Sequence, residues 1–151
     1  MTAHLADPAQ IPGRELLLMA CRGMPLITAH PILDAAAELA QIHAELETTA
    51  TPDERLSWHR IQLVASIDTW VRDTVPPAFP AAPLHTETLG QVVDRLAQLT
   101  HHTFVALAYA SDALYGDAWA RLLDLASGYQ NLIDELHNGT RRLPATFLGP
   151  W

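Results

Sequence analysis

Lysine is missing from this sequence altogether: all nine basic residues are arginine. That excludes a Schiff-base lysine, a P-loop phosphate grip and a Ser–Lys dyad on this chain. Cysteine is almost as scarce. Cys21 stands alone, so neither an intrachain disulfide nor a thiolate metal cluster can form. The seven glycines never gather into a phosphate-binding loop. Ser57, Ser66, Ser111 and Ser127 lack the Gly-x-Ser-x-Gly setting of a nucleophile elbow. Apolar runs stay far short of a bilayer span. The opening MTAHLADPAQIPG has neither the basic start nor the apolar stretch of a signal peptide, so the expected location is the cytoplasm.

Charge is one-sided as well. A formal net charge of −8 with scattered arginines leaves no basic stripe for nucleic acid, and it disfavours anionic membrane surfaces. What is abundant is apolar: 49% of 151 residues are hydrophobic, too many for a disordered chain and enough for one domain with one core. Alanine and leucine dominate, both strong helix formers, and no stretch alternates apolar with polar residues as a strand would. The expectation is an all-α protein.

The spacing divides the chain into a loose arm over 1–13, a helical domain over 14–144 and a tail over 145–151. Arg14 to Gly23 reads as a short apolar helix. A second helix starts at Pro31 and runs to about Thr48, with Ile32, Ala36, Leu39, His43 and Leu46 on one stripe. A third starts at TPDE, where Thr51 and Glu54 match a capping box, and turns Leu56, Leu63, Val64, Ile67, Trp70 and Val71 inward. The four prolines from Pro76 to Pro83 form a semi-rigid connector. The fourth helix is expected from about Glu87 to Ala113, with Thr86 as its cap. Its inward face is Leu89, Val92, Val93, Leu96, Leu99, Thr103 and Leu107. Gly116 marks a break, and the last helix follows Asp117 with Trp119, Leu122, Leu125, Ala126, Tyr129, Ile133 and Leu136 inward. Gly139 suits a left-handed stop. Short links make two αα-hairpins, which the connector joins into an antiparallel four-helix bundle with an extra short N-terminal helix.

Such a bundle raises the question of a di-metal site, which needs two Glu-x-x-His pairs. The sequence has none. Its nearest relative is Asp134-x-x-His137, and no two of the eight histidines stand three or four apart. No metal and no cofactor are expected. His43, on an apolar stripe, reads as a core histidine, while His101 and His102 point about 100° apart and cannot share a helix-borne ligand. Trp58, Trp70 and Trp119 read as packing. Cys21 reads as a small buried thiol.

One segment stands out: LHTETLGQVVDRL, Leu84 to Leu96, concentrates His85, Glu87, Asp94 and Arg95. Two accounts of it remain open. In the first it is a capped helix start, where Gly90 and Ala97 let a neighbouring helix approach and Asp94 or Arg95 reaches Asp68 or Arg60 across the contact. In the second, His85, Glu87, Asp94 and Arg95 form a polar site suited to acid–base work or small-molecule binding.

ETLGQVVDRL, Glu87 to Leu96, also resembles an uncharacterised bacterial family, the domain of unknown function 4254. HPILDAAAELAQIH, LVASIDTWV and YQNLIDELHNGTRRLP are similar to actinobacterial members of it, so the resemblance covers about residues 14–144. It implies a small helical protein without an established activity, and it directs interest to Glu87, Gly90, Asp94 and Arg95 without assigning a catalytic role. With no complete catalytic constellation, the first expectation is a non-catalytic module that associates with itself or with a protein partner. The short apolar helix ELLLMAC, which a four-helix core does not obviously need, docks either on the bundle or on a second copy. A small enzyme or small-molecule binder working at the start of the fourth helix is the rival.

Overall fold

The structure, a computed structural model, describes residues 8–146. These residues form five helices: α1 (Arg14–Cys21), α2 (Pro31–Thr48), α3 (Glu54–Thr74), α4 (Leu89–Tyr109) and α5 (Asp112–Asn138). The only strand-like pairing among them is an isolated bridge between Leu84 and Arg142. The chain is an all-α helical bundle with a short N-terminal helix.

Three helix boundaries differ from the sequence reading, each because a stronger cap was available. α3 is capped by Asp53, not Thr51, its carboxylate accepting from the Arg55 and Leu56 amides. A charged acceptor against free N–H groups at the positive end of a helix outcompetes a hydroxyl two residues earlier. α4 starts at Leu89 behind Thr88, not at Glu87 behind Thr86. Thr88 and Gln91 form a reciprocal capping box there. The α4–α5 turn falls at Ala110–Ser111, where Ser111 accepts from the Leu114 amide, and Gly116 lies inside α5. One interior glycine costs a helix only about 1 kcal/mol relative to alanine, too little to end it.

Cross-helix contacts give the directions. His43 meets Asp94 and Glu47 meets His101, so α2 and α4 run the same way. Arg60 meets Asp94 while Asp68 meets Gly90, so α3 runs against α4. α5 packs on α4 and α1 and reaches neither α2 nor α3. The short N-terminal helix closes that side. Its Leu17, Ala20 and Cys21 are buried, and it touches α2, α4 and α5. Arg14 binds Gln130 and Ser127 just past the middle of α5, and the Arg22 guanidinium lies over the Trp119 ring nearer its start.

The core is aliphatic: Leu17, Ile32, Leu39, Ile67, Leu89, Leu96, Leu122 and Ile133 are buried in one cluster. Each contributes about 2 kcal/mol by leaving water. Of the arm, residues 1–7 lie outside the described residues. Ile11 is buried, Tyr129 donates to the Pro12 carbonyl at 2.6 Å, and His30, the N-cap of α2, donates from Nε2 to the Gln10 carbonyl at 3.0 Å. The Pro-rich connector is held by the segment after α5. Phe79 N–H donates to Gly139 O, Arg142 N–H to Pro83 O and His85 N–H to Arg142 O. Gly139 itself sits at φ 72°, the left-handed stop the sequence suggested.

Three residues expected inside face outward. Leu107 is 61% exposed, and Trp58 and Trp119 are also exposed. The cause for Leu107 is length: Glu47, in the last turn of α2, reaches His101 and His102. α4 runs on past that point for about 10 Å at 1.5 Å per residue.

Two glycine substitutions should move stability in opposite directions. A Cβ on Gly90 would lie 2.4 Å from the Val64 carbonyl oxygen and 2.8 Å from Asp68 Oδ1, so Gly90→Ala should cost about 1–3 kcal/mol. A Cβ on Gly116 meets nothing within 4 Å, so Gly116→Ala should gain about 0.5–1 kcal/mol. Urea unfolding midpoints of the two variants check both signs.

Candidate functional site

Asp94 is the junction of three helices. It is 7% exposed, and its carboxylate accepts from Arg60 of α3 through Nε at 3.0 Å and Nη2 at 2.6 Å, and from His43 Nε2 of α2 at 2.8 Å. Burial alone would raise this carboxyl, but the hydrogen bonds from His43 and Arg60 outweigh it and hold it below the usual carboxylate range. A few ångströms up the α3–α4 contact, Asp68 accepts the Gly90 N–H at 2.8 Å and the Thr88 hydroxyl. Burial pushes that carboxyl up, against the lowering effect of both hydrogen bonds. Gly90 is what allows the arrangement, since any side chain there would strike Val64 and Asp68.

Both carboxylates border a cleft of about 510 Å³ between α3 and α4. Ile61, Val64 and Ala65 form its apolar side. Ser57, Gln91 and Thr146 complete the rim with Arg60 and Thr88.

The four residues singled out in the sequence divide between two places. His85, Glu87 and Arg95 gather where the connector enters α4. His85 Nδ1 lies 2.9 Å from the Glu87 carbonyl oxygen, and Arg95 Nη1 binds Glu87 Oε1 at 2.7 Å with much of the arginine in solvent. Asp94 is turned away from them into the α2–α3–α4 contact, because neighbours on a helix point about 100° apart. Of its partners, Arg60 was one of the two that the first account allowed, and His43 was not among them. The signal for His43 was its place on the α2 stripe together with the common direction of α2 and α4, and only the second needed the fold.

A second polar cluster was missed. His101 and His102, adjacent and divergent, are both drawn to Glu47, at 2.5 Å and 3.1 Å, one to each carboxylate oxygen. Among the described residues no three His, Cys, Asp or Glu side chains converge as a metal site would require. Cys21 is not poised for reaction: burial pushes its thiol up to about 12, against the opposing effects of Thr100 and Arg22.

A different surface lies at the far end of α4 and α5. Beyond His102 the hairpin outruns α2 and exposes Phe104 (70%), Leu107, Tyr109 (88%) and Leu114. At its base, Cys21, Thr100, Phe104, Leu107, Trp119 and Leu122 line a groove of about 560 Å³. Among the described residues no helix is long and apolar enough to cross a membrane.

The two aspartates should titrate with opposite consequences. The folded-state pKa of Asp94 is depressed, so its stabilisation is present above the unfolded value near ~3.9 and is lost as pH falls through the lower folded value. Asp94→Asn should cost about 1–3 kcal/mol at neutral pH, discounted because 40% of the Arg60 side chain is in solvent. That gap should narrow below about pH 4. Asp68 is raised, so its contribution is complete below the unfolded value and is lost as pH rises through the folded one. Asp68→Asn, which keeps an oxygen acceptor for Gly90, should leave the protein at least as stable at neutral pH. Denaturant titrations of the three proteins between about pH 3 and 7 check both.

No curated protein and no solved structure matches this chain. A family model described as "Protein of unknown function (DUF4254)" matches residues 37–113, from within α2 to the first residues of α5. The matched half of the sequence contains the Asp94 junction with His43 and Arg60, Asp68 and Gly90, the His85–Glu87–Arg95 group and the apolar end of α4. The chain belongs to the DUF4254 family.

Proposed function

We propose that this protein is a non-catalytic interaction module that associates with a second copy of itself through the protruding end of the α4–α5 hairpin. The observation that carries the reading is the exposure of Phe104, Leu107, Tyr109 and Leu114 on one helical pair that has outrun α2. Monomeric proteins seldom leave so many large apolar side chains together in water, and such patches serve as contact surfaces.

Geometry and charge both favour a second copy as the occupant. Two antiparallel helices with a bare apolar face lack the other half of a four-helix layer, and the same hairpin from another copy supplies it with two-fold symmetry. The groove that Phe104 and Leu107 of α4 line together with Trp119 and Leu122 of α5 adds apolar surface to such a contact. From Thr103 to Ala110 the sequence carries no carboxylate, arginine or histidine. In a chain of net charge −8 this stretch of α4 brings no charge of its own to a contact between copies, and the carboxylates of that end, Asp112 and Asp117, lie on α5. The apolar N-terminal helix is not available for the task, being spent on closing the bundle between α2 and α5.

Sedimentation velocity over a wide concentration range tests the reading. The wild-type chain should move from monomer to dimer as concentration rises. Leu107→Asp and Phe104→Asp, both at exposed positions, should remain monomeric with unchanged helical circular dichroism. A wild-type chain that stays monomeric at every concentration, or a dimer that survives both substitutions, overturns self-association through this face. In the first case the face is left to a different protein.

A further inference from the structure

The α3–α4 cleft is unlike the apolar groove, and the interaction reading makes no use of it. One side is hydrocarbon: Ile61, Val64 and Ala65. The other presents two carboxylates and one arginine. Arg60 is already committed to Asp94, with Nε and Nη2 both donating to that carboxylate, and His43 adds a further bond to it. Asp94 is therefore neutralised from within the fold. Asp68 is not: it accepts an amide and a hydroxyl and has no cationic partner among the described residues. The cleft thus holds one carboxylate more than its cations balance, set beside an apolar wall, in a volume of about 510 Å³ that suits a small molecule.

We infer that this cleft binds a small organic ammonium ion, a primary amine on a short apolar chain, with the ammonium on Asp68 and the chain along Ile61, Val64 and Ala65. An ammonium supplies up to three donors, and a bond from a charged donor to a carboxylate is about twice as strong as a neutral one. It would also relieve the desolvated carboxylate that burial otherwise penalises. Ser57 offers a hydroxyl acceptor on the rim for a further N–H. An organic anion finds no comparable partner, because the charge of the one guanidinium lining the cleft is already balanced by Asp94, and the net charge of −8 draws cations toward the surface. The apolar wall separates an alkylammonium from a bare inorganic cation, which gains nothing from hydrocarbon.

The test is a titration followed by amide chemical shifts, with n-hexylammonium chloride as the probe and sodium hexanoate, 1-hexanol and ammonium chloride as comparisons. Hexylammonium should produce saturable shifts confined to Ser57–Asp68 and Thr88–Asp94, and the three comparisons should bind at least about tenfold more weakly, a difference of about 1.4 kcal/mol. Asp68→Asn should weaken hexylammonium by about tenfold or more. Ala65→Phe, which places a ring in the cleft, should abolish binding while the helical signal is kept. Hexanoate binding as tightly as hexylammonium, ammonium alone binding as tightly, shifts centred elsewhere, or unchanged affinity in Asp68→Asn would each overturn the inference.

Discussion

The close approach of α3 to α4 at Gly90 is the constraint on which the rest of the molecule depends. With no Cβ at that position the Val64 carbonyl and the Asp68 carboxylate come within reach of the α4 backbone. Asp68 can then accept an N–H of the first turn, adding to the capping box that Thr88 and Gln91 already make. The same contact, one turn on, brings Arg60 to Asp94. Because α2 runs parallel to α4, His43 completes the set from the other side. Three helices are thereby fixed in register by one carboxylate beside a core that is mostly aliphatic. Aliphatic packing tolerates sliding far better than a hydrogen-bonded ion cluster does, since a shifted register would leave Asp94 buried without its partners.

That constraint also shapes the surfaces. The α3–α4 cleft exists because the two helices touch at Gly90 and are bordered beyond it by polar side chains rather than by another helix. At the opposite end the register set by His43–Asp94 and Glu47–His101 decides how far α4 extends past α2. The apolar hairpin end is the consequence: Leu107 continues the inward stripe of α4, but no helix remains for it to meet. The two surfaces differ in chemistry, one with two carboxylates beside a hydrocarbon wall, the other dominated by large apolar side chains. They are correspondingly suited to different occupants.

α1 illustrates how a local feature acquires its meaning from topology. Its apolar body suggests a helix in search of a partner, and in the fold that partner is the gap between α2 and α5. A bundle whose fourth side is left open needs a filler of about two turns, and Leu17, Ala20 and Cys21 provide it. The segment before it is tied down by backbone acceptors at Gln10 and Pro12, which His30 and Tyr129 reach from α2 and α5. A buried neutral histidine serves well here, as one ring nitrogen donates to Gln10 while the other caps α2.

By itself the sequence determined the helical class, the number of helices, the connector and most of the inward residues. Those follow from apolar spacing, proline density and alanine–leucine content, which act over a few turns of chain. It also suggested a close approach at Gly90, but it left open whether Asp94 or Arg95 would reach across that contact and whether Asp68 or Arg60 would be the partner. Helix starts were misplaced by two residues at Thr51 and Thr86, and Gly116 was given too much weight, because several local caps compete and differ by about 1 kcal/mol or less. Only the tertiary structure decided that Asp94 parts company with His85, Glu87 and Arg95, that His43 is its partner, and that Leu107 and Trp119 are left in water. Those outcomes depend on which helices run side by side and where each one ends, and such relations between distant segments leave no trace in local periodicity.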